Sequence, residues 1–228
     1  MRDFLDAFTF MGDNASLLAD KVGEHLVLSG AAIGISVLIA VPIGALLGHL
    51  HRGSFVAINL ANIGRALPSL AVIAIGLAVL GLGFLNVTVA LVILAVPPIL
   101  TNAYVAVDGV DRDAVEAARG MGMSGLEVIR RVELPLALPL IFAGIRTAVV
   151  YVVATATLAA IAGGGGLGEI IVNQASYGFP GVLAGAMVVA LLAFVAELVF
   201  AALQYAVTPA GLRRRRLPPV VGRAGRIA

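Results

Sequence analysis

Residues 116–135 read EAARGMGMSGLEVIRRVELP, and they place five charged side chains between Arg119 and Glu133, besides Glu116 itself, in an otherwise apolar chain. The 228 residues are 61% hydrophobic and only 12% charged, against roughly 25% charged in an ordinary soluble domain. The mean hydropathy is +1.06. Outside the quoted stretch, windows of about 20 apolar residues recur along almost the whole chain, which is the length a helix needs to cross roughly 30 Å of hydrocarbon. The runs are continuous rather than alternating, so the expected fold is an all-α integral membrane protein and not a closed barrel.

Five transmembrane helices fit the pattern, at about 25–48, 66–84, 87–107, 138–162 and 181–207. An odd count puts the termini on opposite sides. With the C-terminus in the cytoplasm, Arg52, Arg112, Arg119, Arg130 and Arg131 all fall inside, together with the terminal cluster Arg213 to Arg216, Arg223 and Arg226. The N-terminal segment, with Asp3, Asp6, Asp13, Asp20 and Glu24 against Arg2 and Lys21, falls outside. That is the positive-inside distribution. The expected organisation is an extracytoplasmic segment 1–24, a membrane domain 25–207 with a cytoplasmic loop at 108–137, and a basic cytoplasmic tail 208–228. The first residues lack a basic region followed by a short apolar core, and they are read as mature protein.

The polar loop has its own local grammar. Asp113 and Glu116 have the spacing of an N-terminal cap, and Val115 and Ala118 share a face of a short helix. Gly120, Gly122 and Gly125 break it. Ser124 and Glu127 form a capping box for a second helix, in which Leu126 and Ile129 share a face; Pro135 is expected to end it and Pro139 to start the next span. Two short helices about a glycine corner result.

Other chemistries find little support. The sequence has no cysteine and three scattered histidines, which leaves no thiolate site and no metal-ligand cluster. No H-E-x-x-H, no G-x-S-x-G and no paired intramembrane aspartates point to a membrane enzyme. The basic tail has no aromatic interleaving, so nucleic acid is not an expected partner. Residues 163–169 read GGGGLGE, with no following Lys-Ser/Thr, and do not make a nucleotide loop. A structural or receptor membrane protein is the remaining non-transport alternative.

Glu116-Ala117-Ala118, three residues, Gly122, nine residues, Val132, one residue and Leu134-Pro135 together resemble the EAA loop of ATP-binding cassette importer permeases, E-A-A-x3-G-x9-I-x-L-P, with valine in place of isoleucine. The resemblance implies the five-helix type I importer permease fold and a loop that docks into a groove on a separate ATPase subunit, which hydrolyses ATP; this chain would bind no cofactor itself. "RALPSLAVIAIGL" (65–77), "PPILTNAYVAVDGVD" (97–111), "ARGMGMS" (118–124), "LPLALPLIFAGIRTAVV" (134–150) and "ATLAAIAGGGGLGEII" (156–171) are similar to osmoprotectant permeases for glycine betaine, carnitine or choline. Methionine-type permeases share the plan, and relatives can serve zwitterions such as ergothioneine. Where relatives often have Gln-Thr-Ile-Pro-Ser, this chain has Arg65-Ala66-Leu67-Pro68-Ser69.

Residues 52–65 are expected to form an amphipathic elbow before Pro68, with Arg65 snorkelling to headgroups. Five spans without an evident internal repeat imply a dimer with a second copy or a homologous permease, and Gly30, Gly34, Gly44, Gly48, Gly76, Gly144 and Gly185 favour dense helix packing. Tyr104, Tyr151, Tyr177 and Tyr205, without tryptophan, are too few for a tight aromatic cage, so high affinity belongs to a separate substrate-binding protein. The resemblance makes Gly163, Gly164, Gly165, Gly166 and Gly168 an outer re-entrant turn near the gate and the binding-protein surface; the alternative is a flexible connector. Arg146, roughly 12 Å into the fourth span, and Glu197, roughly 15 Å from the inner end of the fifth, match in depth at 1.5 Å per residue and are expected to pair.

Overall fold

A computed structural model describes residues 2–209, and all of the regular structure in it is helical. The chain runs through α1 (Arg2–Asp13), α2 (Ala15–His49), α3 (Ser54–Ala66), α4 (Ser69–Leu80) and α5 (Phe84–Asp108). It continues with α6 (Arg112–Gly120), α7 (Gly125–Val128), a π turn (Ile129–Glu133), α8 (Leu134–Thr155), a 3-10 segment (Ala156–Ala162), α9 (Gly168–Val172) and α10 (Gln174–Val207). The basic tail with its arginine cluster lies outside the described residues.

Helix α5 is the centre: α2, α3, α4 and α8 all pack on it, α10 packs on α8, and α1 lies against α10. Glycine sets how closely these helices approach. A Cβ on Gly44 would stand 2.7 Å from the Leu100 carbonyl oxygen, and one on Gly48 would stand 2.8 Å from that of Tyr104. The Gly44-x-x-x-Gly48 stripe therefore brings α2 backbone to backbone with α5. Gly144 of α8 makes room for the Asn102 side chain of α5, whereas Gly30 and Gly34 face open space.

Four helical stretches are long and apolar enough to cross a bilayer: Ala15–His49, Phe84–Asp108, Gly125–Ala162 and Gln174–Val207. The expected second span, 66–84, is instead the 12-residue α4, about 18 Å long and short of a full crossing. It is cut at both ends. Leu67 is extended (ψ 119°) ahead of Pro68, as the residue before proline must be, and Gly81 and Gly83 take φ of +77° and +121°. The elbow is thus α3 followed by a break, with Pro68 capping α4 and Ser69 as its first residue. Arg65 belongs to α3; its side chain lies outside what is described.

Residue 24, the expected end of the extracytoplasmic segment, lies inside a helix. Helix α2 is continuous from Ala15, and its polar residues Lys21 and Glu24 have partners within the fold. The last long helix, α10, is kinked near its start, where Gly178 leaves the helical region (φ 65°, ψ 175°). Its straight rod therefore begins at the following turn, where Pro180 fits, close to the start expected at residue 181.

Candidate functional site

The polar loop folds as two short helices about a glycine corner. Asp111, not Asp113, caps α6: its side chain accepts from the Asp113 amide at 3.0 Å. The acidic residue two positions before the first free amide has the reach for this bond, and Asp113 is already inside the first turn. Gly122 has φ +84° and makes the corner. The Glu127 carboxylate accepts from the Ser124 amide and hydroxyl, both at 2.9 Å, and opens α7.

Pro135 does not end this second helix. From Gly125 the rod runs through the π turn directly into α8. In the π turn the Leu134 amide bonds to the Ile129 carbonyl, five residues back. Pro135 falls at the junction of the π turn and α8, where the widened turn leaves room for its ring.

The EAA residues divide by direction. Glu116 and Ala117 are exposed, as are Met121 and Leu126, two large apolar side chains on the same loop. Ala118 is only 1% exposed, packed inward as α6 folds against α7 and the π turn. Its small size serves the loop's own packing, so the outward-facing small residue is Ala117. Val132, Leu134 and Pro135 are half-buried in the rod that carries the loop, and Leu134 packs on the main core.

Two contacts that the loop pattern does not reveal tie it to the membrane domain. Glu133, 2% exposed, accepts from His49 Nδ1 of α2 at 2.7 and 2.9 Å. Asp108 at the end of α5 meets His51 Nδ1 at 2.7 Å. The available signal was a carboxylate beside the Leu134-Pro135 membrane entry and two histidines at the end of the first span; what sequence lacks is any indication that they face each other.

At the other end of α2 the glycine turn is a built structure. Gly163, Gly165 and Gly166 have φ of +69°, +77° and +83°, a region that side chains rarely adopt. A Cβ on Gly164 would come within 2.8 Å of Val87, and one on Gly168 would overlap the Thr157 carbonyl. Glu24 reaches across 142 residues of sequence to accept from the Gly166 amide at 2.8 Å, and Lys21 holds Glu24 at 2.9 Å and Glu169 at 2.5 Å. Beneath them His25, fully buried, bonds through Nε2 to the Val153 carbonyl at 2.9 Å. Leu167 and Ile170 are fully buried, so the segment packs into the protein at these two side chains.

Between these ends, Arg146 of α8 donates through Nε to Glu197 of α10 at 2.7 Å, and Nη2 bonds to the same oxygen. Gln204 extends the contact, its oxygen facing Arg146 Nη1 at 3.4 Å and its amide donating to the Pro139 carbonyl at 2.9 Å. About a third of each charged side chain is exposed. No three His, Asp or Glu residues converge as a metal site among the described residues.

Comparison with known proteins gives a consistent picture. Residues 40–209 match the family described as binding-protein-dependent transport system inner membrane component. The chain is 41% identical over 206 residues to the glycine betaine/carnitine/choline transport system permease protein OpuCB of Bacillus subtilis, covering 90% of this chain and 95% of that one. It is 39% identical to the carnitine transport permease protein OpuCB of Listeria monocytogenes, with 91% and 96% covered. The osmoprotectant import permease protein OsmW of Salmonella typhimurium is 34% identical over 92% of this chain and 100% of its own length. An inward-facing structure of the MetNI methionine ABC transporter superposes with a TM-score of 0.74, covering 86% of this chain and 98% of that one. At 22% identity that likeness shows the fold alone.

Proposed function

We propose, because this chain belongs to the family of binding-protein-dependent transport system inner membrane components, that it forms the translocation path for a small osmoprotectant bearing a quaternary ammonium group, such as glycine betaine, carnitine or choline. It is a multi-pass permease subunit of an ATP-binding cassette importer and not itself an enzyme. Its relatives carry these solutes in their names, and the exposed Glu116–Ala117 face at the Gly122 corner is the observation that supports mechanical coupling to a partner.

In this reading the loop end of the molecule faces the cytoplasm and docks on the ATPase subunit, with the N-terminus outside. Glu116, Ala117, Met121 and Leu126 meet the ATPase, while Ala118 and Glu133 keep the loop rigid, so that movement of the partner is passed to α8 through one continuous rod. The glycine turn at Gly163 to Gly168 faces the substrate-binding protein, and a second copy or a homologous permease completes the path. Arg146 and Glu197 act as a clamp between α8 and α10.

Reconstitution in proteoliposomes with the ATPase subunit and binding protein of the same system tests the assignment. Uptake of radiolabelled glycine betaine, carnitine or choline that requires ATP is the expected result. ATP-dependent uptake of methionine with none of the three solutes would overturn the substrate reading.

A further inference from the structure

One face of α8 carries Arg146, Thr147 and Tyr151 at spacings of one and four residues, and it borders two hollows. On one side Thr147 and Tyr151 close a cavity of about 350 Å³ with Pro98, Thr101 and Asn102 of α5. On the other they border a wider depression that holds Arg146, Glu197 and Gln204. At 350 Å³ the first hollow lies at the small end of the ligand-pocket range of about 300–1,000 Å³.

The chemistry of the cavity wall follows from where its protons go. Thr101 donates its hydroxyl to the Ala57 carbonyl at 3.0 Å, Thr147 donates to Ala143 at 3.0 Å, and Asn102 spends one amide proton on Pro98 at 2.8 Å. The two hydroxyls can then offer only lone pairs, and Asn102 offers its oxygen and one remaining N–H. Tyr151, 39% exposed, adds an aromatic ring, while Leu94 and Pro98 add apolar wall. Neither an acid nor a base lines this cavity, and the neighbouring Arg146 charge is answered by Glu197.

A wall of oxygen acceptors, hydrocarbon and one ring does not suit an anion. It also cannot replace the tight hydration of a small metal cation, which needs charged oxygen ligands. It does suit a large cation whose charge is spread over methyl groups, because such a head asks for no hydrogen bonds and is drawn to a ring face. Resting on the substrate class proposed above, we infer that the α5–α8 cavity is the station in the membrane where the trimethylammonium head is held during passage, with the Tyr151 ring as its platform and the Thr101, Asn102 and Thr147 oxygens as its rim. Gly144 is part of the device: a Cβ there would stand 2.5 Å from Asn102, so only glycine lets α5 bring the amide to this wall.

Uptake of choline and of glycine betaine by the full complex, in proteoliposomes with its ATPase and binding protein, tests this. Tyr151→Leu is expected to lower the rate of both about tenfold, the scale of a desolvated cation–π contact, and Tyr151→Phe, which keeps the ring, to restore most of the loss. Asn102→Asp places a negative charge on the rim and is expected to raise the choline-to-betaine uptake ratio severalfold, a readout that reduced assembly does not mimic. Co-purification of the ATPase checks that each variant is assembled. A wild-type complex that moves no trimethylammonium solute removes the substrate reading and this station with it. A wild-type complex that moves them, with Leu equal to Phe at position 151 or an unchanged ratio for Asn102→Asp, overturns the station alone.

Discussion

Replacing Glu133 by alanine removes the side-chain bond between the π turn and α2 and leaves His49 facing a hole. The two side chains are 3% and 11% exposed, so salt and solvent screen the pair little. A buried hydrogen bond to a charged group is worth about 1.5–3 kcal/mol. At about 1.4 kcal/mol per factor of ten, the seating of the loop against α2 weakens by roughly one to two powers of ten. Hydrogen exchange in nanodiscs reads that opening directly, because amides of α6 and α7 exchange through local detachment of the loop. Exchange at residues 114–128 is expected to accelerate by about tenfold or more in Glu133→Ala, and less in Glu133→Gln, which keeps an acceptor for the His49 ring. His49→Ala should match Glu133→Ala, and the double variant should be little worse than either, since both remove the same contact. Unchanged exchange in Glu133→Ala, or full additivity in the double variant, would refute the reasoning.

Three further outcomes are expected. Ala117→Glu and Gly122→Asp should abolish co-purification of the ATPase and uptake while membrane insertion persists, the first by blocking the exposed face and the second by straining a φ of +84°; normal association in both would remove the coupling role. Arg146→Glu and Glu197→Arg should each impair assembly on size-exclusion chromatography, and the double swap should recover it, so a swap no better than the worse single variant would end the clamp assignment. Glu24→Ala, which frees the Gly166 amide, should weaken stimulation of ATPase activity by loaded binding protein and leave basal ATPase activity intact, whereas equal stimulation would make the turn a passive link.

Helix α2 connects these expectations. It bonds to the glycine turn through Glu24 and to the coupling loop through His49, and its Gly44–Gly48 stripe lies against the central α5. The two surfaces proposed to meet partner proteins are thus attached to opposite ends of one helix. A displacement of that helix along α5 would be felt at both.

The class of fold was legible from sequence because its causes are local. Hydrocarbon thickness selects apolar runs of a given length, arginine distribution sets the expected topology, and Gly122, Ser124 and Glu127 write a corner and a capping box within a few residues. The coupling motif likewise sits in one continuous stretch, which is why the family could be read from it. Arg146 and Glu197 could be matched by depth, since the rise per residue alone fixes where each stands in its helix. Tertiary structure decided what depends on helix rotation and distance of approach. It turned Ala118 inward and Ala117 outward, used a π turn to carry the rod past Pro135, and shortened the second span to α4. It brought Glu133 to His49 across 84 residues and Glu24 to Gly166 across 142. A pattern of period 3.6 gives the face of a helix but not the partner that face will meet; that partner is fixed only when side chains and glycine gaps on several helices interlock at once.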